Sequence, residues 1–136
     1  SLQNSPFHVV VSNPPYTKER TGRKSPQPSR LLARHETSLN LSGLISISSS
    51  LLFKKGRFYI IYPARRLGEL INAAGSSKLE LKRLRLVYPK KNEKANLFLA
   101  EFIKEGGIGT AIEHPLYIFE NSSYTEEVKG YYTLQG

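Results

Sequence analysis

The chain has 136 residues, enough for one compact domain and not clearly for two. It contains no run of eighteen apolar residues, which excludes a membrane-spanning helix of that kind, and no cysteine, which excludes disulfides and thiolate metal sites; with three scattered histidines (His8, His35, His114) no metal site is expected. Twenty lysines and arginines against eleven acids, all glutamate, give a net charge of +9, which favours a polyanionic partner such as nucleic acid and leaves any chemistry that needs an aspartate to residues outside this chain.

Phe7 to Ser12 is a β-branched, apolar run halted by Asn13-Pro14-Pro15, which predicts a buried strand suited to the middle of a parallel sheet. Tyr16 to Arg34, rich in Pro, Gly, Ser and basic residues, has no hydrophobic period and reads as a long loop, of the kind that is either functional or disordered. A helix is predicted from about Ser38 to Lys55, with Leu41, Leu44, Ile45 and Leu52 on its apolar face, Lys54 and Lys55 in its last turn and Gly56 as its C-terminal stop. Its serines 46, 48, 49 and 50 would let one face lie close to the sheet. Arg57 to Tyr62 is a strand, and Pro63 opens a second helix whose buried face is Leu67, Leu70, Ile71 and Ala74 and which Gly75 ends. Leu79 to Tyr88 is a strand whose apolar phase switches, so a bulge is expected near Lys82-Arg83. After a basic turn from Pro89 to Asn96, Leu97 to Ile103 completes an antiparallel hairpin that closes the sheet edge. Leu116 to Phe119 is a short strand candidate, and Tyr124 to Tyr132 has no clear assignment. The order β-loop-α-β-α-β-β calls for an α/β sheet of mostly parallel strands.

The positive charge is clustered. Lys18, Arg20, Arg23, Lys24, Arg30 and Arg34 share the long loop with only Glu19 and Glu36 around them. Lys78, Lys82, Arg83, Arg85, Lys90, Lys91 and Lys94 form a second group against Glu80 and Glu93. A merely solvated surface mixes its signs more evenly.

Asn13-Pro14-Pro15-Tyr16 taken alone reads as a turn, since Asn-Pro commonly starts one. Its place at the end of a strand matters, because open α/β sheets bind ligands at the carboxyl ends of their strands. The tetrapeptide resembles the (Asp/Asn)-Pro-Pro-(Tyr/Phe) motif of class I methyltransferases that modify exocyclic amines. Arg34-His35-Glu36 before the first helix, and Tyr88-Pro89-Lys90-Lys91 with Ala95-Asn96 in the hairpin, are similar to the bacterial tRNA(Val) adenine N6-methyltransferase group, over a span from Phe7 to about Val128.

The resemblance implies the C-terminal half of a Rossmann-like class I methyltransferase sheet, mostly parallel with a terminal antiparallel hairpin: residues 1–136 as a single partial domain without the N-terminal cofactor-binding half. It implies a target-base half of an S-adenosylmethionine-dependent N6-adenine methyltransferase acting on RNA, tRNA in particular, and inactive by itself. The catalytic residues would be Asn13, Pro14, Pro15 and Tyr16, with Asn13 also touching the cofactor. An adenine amine is a poor nucleophile because its lone pair is delocalised into the ring. The Asn13 side-chain oxygen and the Pro14 carbonyl would accept its two N–H hydrogens and return density to nitrogen, the prolines holding both acceptors in place. Tyr16 would stack on the extruded base.

RNA contacts would come from Lys18, Arg20, Arg23, Lys24, Arg30, Arg34, His35, Lys90, Lys91 and Lys94, although a polar helix start explains His35 about as well. Gly106-Gly107-Ile108-Gly109 follows the last long strand and precedes no predicted helix, so it is not expected to be the cofactor's glycine-rich turn. The expected partners are RNA and no membrane, the expected location is cytoplasmic, and the unprotected edge of Phe7 to Ser12 predicts a homodimer. Two alternatives stand beside this reading: a non-catalytic RNA-binding module, and a DNA adenine methyltransferase with the same core motif.

Overall fold

The computed structural model describes residues 7–15 and 41–135. Strand β1 (Phe7–Ser12) comes first, and a helix, α1, occupies residues 41–51. Next come β2 (Leu52–Pro63), a 3-10 turn (Ala64–Arg66), α2 (Leu67–Ser76), β3 (Leu79–Tyr88) and β4 (Leu97–Lys104). The chain finishes with four two-residue strands, β5 (Ala111–Ile112), β6 (Leu116–Tyr117), β7 (Phe119–Glu120) and β8 (Ser123–Tyr124), and with α3 (Glu126–Gln135).

Strand β1 pairs in parallel with β2, β4 runs antiparallel between β2 and β3, and β5 and β6 lie parallel along the outer edge of β3. Every strand of the main sheet except β4 therefore points the same way, giving the mostly parallel sheet that the element order calls for. The predicted hairpin of β3 and β4 is present, but β4 is threaded inside the sheet and does not close its edge. The expected bulge is present too, as a register shift between Leu81 and Arg83.

Alternation along the strands separates two faces. Phe58, Ile60 and Tyr62 of β2, with Phe98, Ala100 and Phe102 of β4, point to one side and are buried under Leu41 and Ile45 of α1 and Leu70 and Ala74 of α2. Tyr62 meets Phe98 edge-on at 6.4 Å. Ser48 and Ser49 of α1 are buried as the close approach requires, with the Ser49 hydroxyl donating to the Ser77 carbonyl at 2.7 Å, whereas Ser46 and Ser50 face outward. On the other side a smaller cluster joins Val87, Leu116 and Val128 of α3.

Three expectations about elements change. First, α1 gives way to β2 at Leu52, so Lys54, Lys55 and Gly56 belong to a strand. Leu52 pairs with Phe7 while Arg57 already pairs with Val9, so the intervening residues bulge out. Lys55 takes a left-handed φ of 72° there, and a Cβ on Gly56 would lie 2.8 Å from the Leu52 side chain and 3.2 Å from the His8 carbonyl. A left-handed residue beside a glycine serves a bulge as well as it serves a helix end. Second, Gly75 lies inside α2, where it has open space around it; the turn falls at Lys78, with φ 63°, and Ile71 is exposed. Third, β1 is not buried. It ends the strand order of the described residues, Val11 is 73% exposed and Phe7 and Val9 are exposed as well, so only Val10 packs against the core.

Candidate active site and nucleic-acid surface

The carboxyl ends of β1, β2 and β3 come together at one end of the sheet. Asn13 and Pro15 are exposed and Pro14 half-buried immediately past β1. Val11 pairs with Tyr59 and Ser12 with Ile60, which sets Asn13 level with Ile61. At the same end β2 leads into Arg65 and Arg66, and β3 into Lys90, Lys91 and Lys94, all three exposed. The Ala64 amide donates to the Asn96 carbonyl at 3.0 Å and ties the β2 terminus to this hairpin.

Arg65 and Arg66 were not foreseen; their signal is their place just past a strand that ends in proline. Arg66 is committed locally: it donates twice to Glu69, at 3.0 and 2.7 Å, and its guanidinium lies 5.2 Å from the Tyr62 ring centre. The Glu69 hydrogen bonds raise the Arg66 pKa, and Arg66 in turn lowers that of Glu69. Arg65 is exposed. Tyr16, Lys18, Arg20, Arg23, Lys24, Arg30, Arg34 and His35 lie outside the described residues.

Below Asn13, the sheet face turned away from α1 and α2 holds an open groove of about 360 Å³ lined by Val11, Asn13, Tyr59, Arg83 and Glu101 among others. Glu101 is only 5% exposed, yet it is well partnered. The Tyr59 hydroxyl donates to it at 2.6 Å, Arg57 is 3.5 Å away and Arg83 3.8 Å. Tyr59, Glu101 and Arg83 are directly paired across β2, β4 and β3. Buried charges require such compensation. This network was not expected from the sequence, where its signal is polar residues alternating with core positions on three neighbouring strands.

The second basic cluster of the sequence does not stay together. Lys78 and Lys82 fall near the amino end of β3, where Lys82 donates to the Gly107 carbonyl at 2.8 Å. Arg83 binds Glu113 at 2.8 Å, and Arg85 binds both oxygens of Glu127 at 2.8 Å. Only Lys90, Lys91 and Lys94 reach the end that carries Asn13.

Gly106 to Gly109 follow β4 and therefore lie at the amino end of the parallel strands, opposite Asn13, and they lead into β5. Among the described residues no glycine-rich strand-to-helix turn stands at the Asn13 end, and Asn13 is the one expected cofactor contact among them.

No family model matches the chain. A tRNA1(Val) (adenine(37)-N6)-methyltransferase of Porphyromonas gingivalis is 31% identical to it over 139 residues, covering 97% of this chain and 54% of the relative. Over nearly its whole length the chain matches this methyltransferase group. A member of the group from Dyadobacter fermentans is 25% identical over 122 residues, covering 89% of this chain and 50% of its own length. The chain thus spans about half the length of the curated relatives it matches. Among solved structures, a predicted O-methyltransferase of Agrobacterium tumefaciens superposes with a TM-score of 0.70 at 23% identity, over 94% of this chain and 51% of that one. A putative DNA modification methylase of Thermus thermophilus, complexed with S-adenosyl-L-methionine, gives a TM-score of 0.52 at 15% identity, over 79% and 51%. Both likenesses establish the fold. No helix among the described residues is long and apolar enough to cross a membrane.

Proposed function

We infer that this chain supplies the target-base side of an S-adenosylmethionine-dependent N6-adenine methyltransferase whose substrate is tRNA. The observation that carries the reading is the position of Asn13-Pro14-Pro15 directly past a parallel strand, at the sheet end that also presents Lys90, Lys91 and Lys94. S-adenosylmethionine provides the methyl group when bound. The Asn13 side-chain oxygen and the Pro14 carbonyl accept the two amine hydrogens of the adenine and localise its lone pair. Tyr16 stacks on the base, and the basic residues from Lys18 to His35 together with the hairpin lysines neutralise phosphates. The test is a methyl-transfer assay on the longest protein that contains this chain, offered tRNA, unmodified RNA oligomers and DNA. Methylation at an adenine N6 of tRNA supports the reading, and transfer to DNA alone overturns it.

The 136-residue chain also self-associates in this reading. Its β1 carries no strand on its outer edge among the described residues and exposes Phe7, Val9 and Val11, an apolar edge of the kind that recruits another strand. Val11→Lys should shift light scattering toward monomer without lowering thermal stability, because the Val11 side chain points out of the fold; a wild-type chain that stays monomeric at high concentration refutes the association.

A further inference from the structure

The last third of the chain builds a second surface at the same end of the sheet. The amide of Ile118 donates to the Tyr88 carbonyl and that of Phe119 to the Pro89 carbonyl, at 3.0 and 2.9 Å, so β6 and β7 are anchored directly to the basic hairpin. Strands β7 and β8 form a tight antiparallel pair turned at Asn121, which holds φ 60°. Phe119 and Tyr124 face each other across it, ring centres 5.3 Å apart and planes within 15°. Tyr132 of α3 continues the row at 5.4 Å from Tyr124. These three rings are 41%, 40% and 57% exposed, although each belongs to an ordered element. The Thr125 hydroxyl locks their base by donating to the Tyr117 carbonyl at 2.7 Å.

Lys90, Lys91, Tyr117 and Phe119 line an open groove of about 530 Å³ beside the row, with Glu120 on its rim. Glu93 lies 4.0 Å from Lys90, whereas Lys91 and Lys94 have no ion pair among the described residues. Exposed rings bordered by exposed lysines, Lys91 with no ion pair among the described residues, match the chemistry of a single strand of nucleic acid, whose bases stack on aromatic faces while cations track the phosphates. Asn13 stands past β1, and the ring row stands past β6, four strands along the order β1-β2-β4-β3-β6. At about 4.8 Å per strand that is roughly 19 Å, too far for the base under attack and suitable for a nucleotide flanking it.

We propose that Phe119, Tyr124 and Tyr132, with Lys90 and Lys91, form a stacking platform for single-stranded RNA flanking the target adenine. The proposal deepens the RNA reading above and rests on it. The chain has eight tyrosines and no tryptophan, so its emission comes from tyrosine, and the part that Tyr124→Phe and Tyr132→Phe remove belongs to the platform. Titrating the 136-residue chain with a twelve-nucleotide unstructured RNA should quench tyrosine emission, and a duplex of equal length should bind more weakly. Tyr124→Ala should weaken single-strand binding by about 5- to 150-fold. Tyr124→Phe should stay within twofold, and Phe119→Leu, which keeps the hairpin apolar, should weaken binding in the same direction as Tyr124→Ala. Equal affinity for duplex and single strand, or Tyr124→Ala and Phe119→Leu both within twofold of wild type, overturns the platform. The two readings fail separately. A platform that binds RNA in a protein that never methylates it removes only the enzyme reading, and methylation by a protein insensitive to Tyr124→Ala removes only the platform.

Discussion

The two ends of the sheet are both rich in lysine and use it in opposite ways. At the amino end most lysines are held by the chain's own carbonyls, Lys78 being the exposed exception among the described residues. Lys55 donates to Glu105 at 2.6 Å, Lys82 to Gly107 at 2.8 Å, and Lys104 to Ser49 and Leu52 at 2.7 and 3.1 Å. Lys54 approaches the Glu105 carboxylate at 3.8 Å. At the carboxyl end Lys91 and Lys94 stand exposed with no ion pair among the described residues, in the turn beside the ring row and at the end that carries Asn13. Positive charge in a sequence therefore marks a nucleic-acid surface only after the fold has shown which cations are already engaged.

The largest effect that separates the ends is catalytic. In the complete enzyme Asn13→Ala should slow methyl transfer by on the order of a hundredfold, the usual cost of removing one preorganised partner of a developing charge. At the opposite end Gly107→Ala should leave the rate within twofold, because a Cβ there meets nothing within 4 Å. Comparable losses from both variants would make the glycine segment functional and break the contrast. The next effect concerns binding. Replacing Lys90, Lys91 and Lys94 together by Gln should reduce the salt dependence of single-stranded RNA binding by about 0.7 logarithmic units per lost contact. Replacing Lys54, Lys55 and Lys82 should leave that slope unchanged and lower the melting temperature. If the amino-end variant changes the slope as much, the engaged lysines are not engaged in solution.

Much of this contrast was legible in the sequence, and the remainder has identifiable reasons for being hidden. The apolar run of β1 and its Asn-Pro stop, the helical spacing of Leu41 and Ile45, and the switched phase of β3 at Lys82-Arg83 are local patterns, and local patterns survive into the fold. The insertion of β4 between β2 and β3 is a matter of long-range pairing, to which alternation along one strand is blind. The exposure of β1 has the same origin, since a run apolar on both faces says what would suit its neighbours and not whether they are present. Strands β5 to β8 are two residues each, too short to show any period, and α3 interrupts its pattern with Gly130 and buries Val128 in its first turn. The ring row was invisible for that reason: Phe119, Tyr124 and Tyr132 are scattered in sequence and become neighbours only through the β7-β8 turn and the docking of α3. The cation pattern failed differently. Lys78 to Lys94 is continuous in sequence, but β3 carries its members from one end of the sheet to the other.

The smallest effect is a pH dependence centred on the docking of α3. The amino-end clasps are mainly lysine-to-carbonyl bonds, which acid leaves charged and intact. Helix α3, in contrast, is held by the packing of Val128 and by a carboxylate. Glu127 accepts from the Tyr131 hydroxyl at 2.6 Å and from Arg85 at 2.8 Å, and these two bonds, with a weaker pull from His114, hold its pKa below the ordinary 4.5. Burial alone would pull the Arg85 pKa down, but the bonds to Glu127 and Tyr131 outweigh it and leave it raised. A carboxylate with a depressed folded pKa stabilises the fold fully above its unfolded value, and that contribution is lost as the pH falls through the folded one. Acidification below about pH 4.5 should therefore loosen α3, and with it Tyr132 of the ring row, before the sheet core responds. The amplitude should be modest because the pair is partly exposed and screened. Arg83–Glu113 titrates with the same sign, since its hydrogen bond lowers the Glu113 pKa, but it reports on the segment after β5 and not on α3. Glu127→Gln should remove the acid step from the backbone amides of α3, followed by NMR between pH 6 and 3, and leave any step near Glu113 in place. An unchanged α3 step in that variant would mean that a titrating group other than Glu127 governs the acid response of the helix.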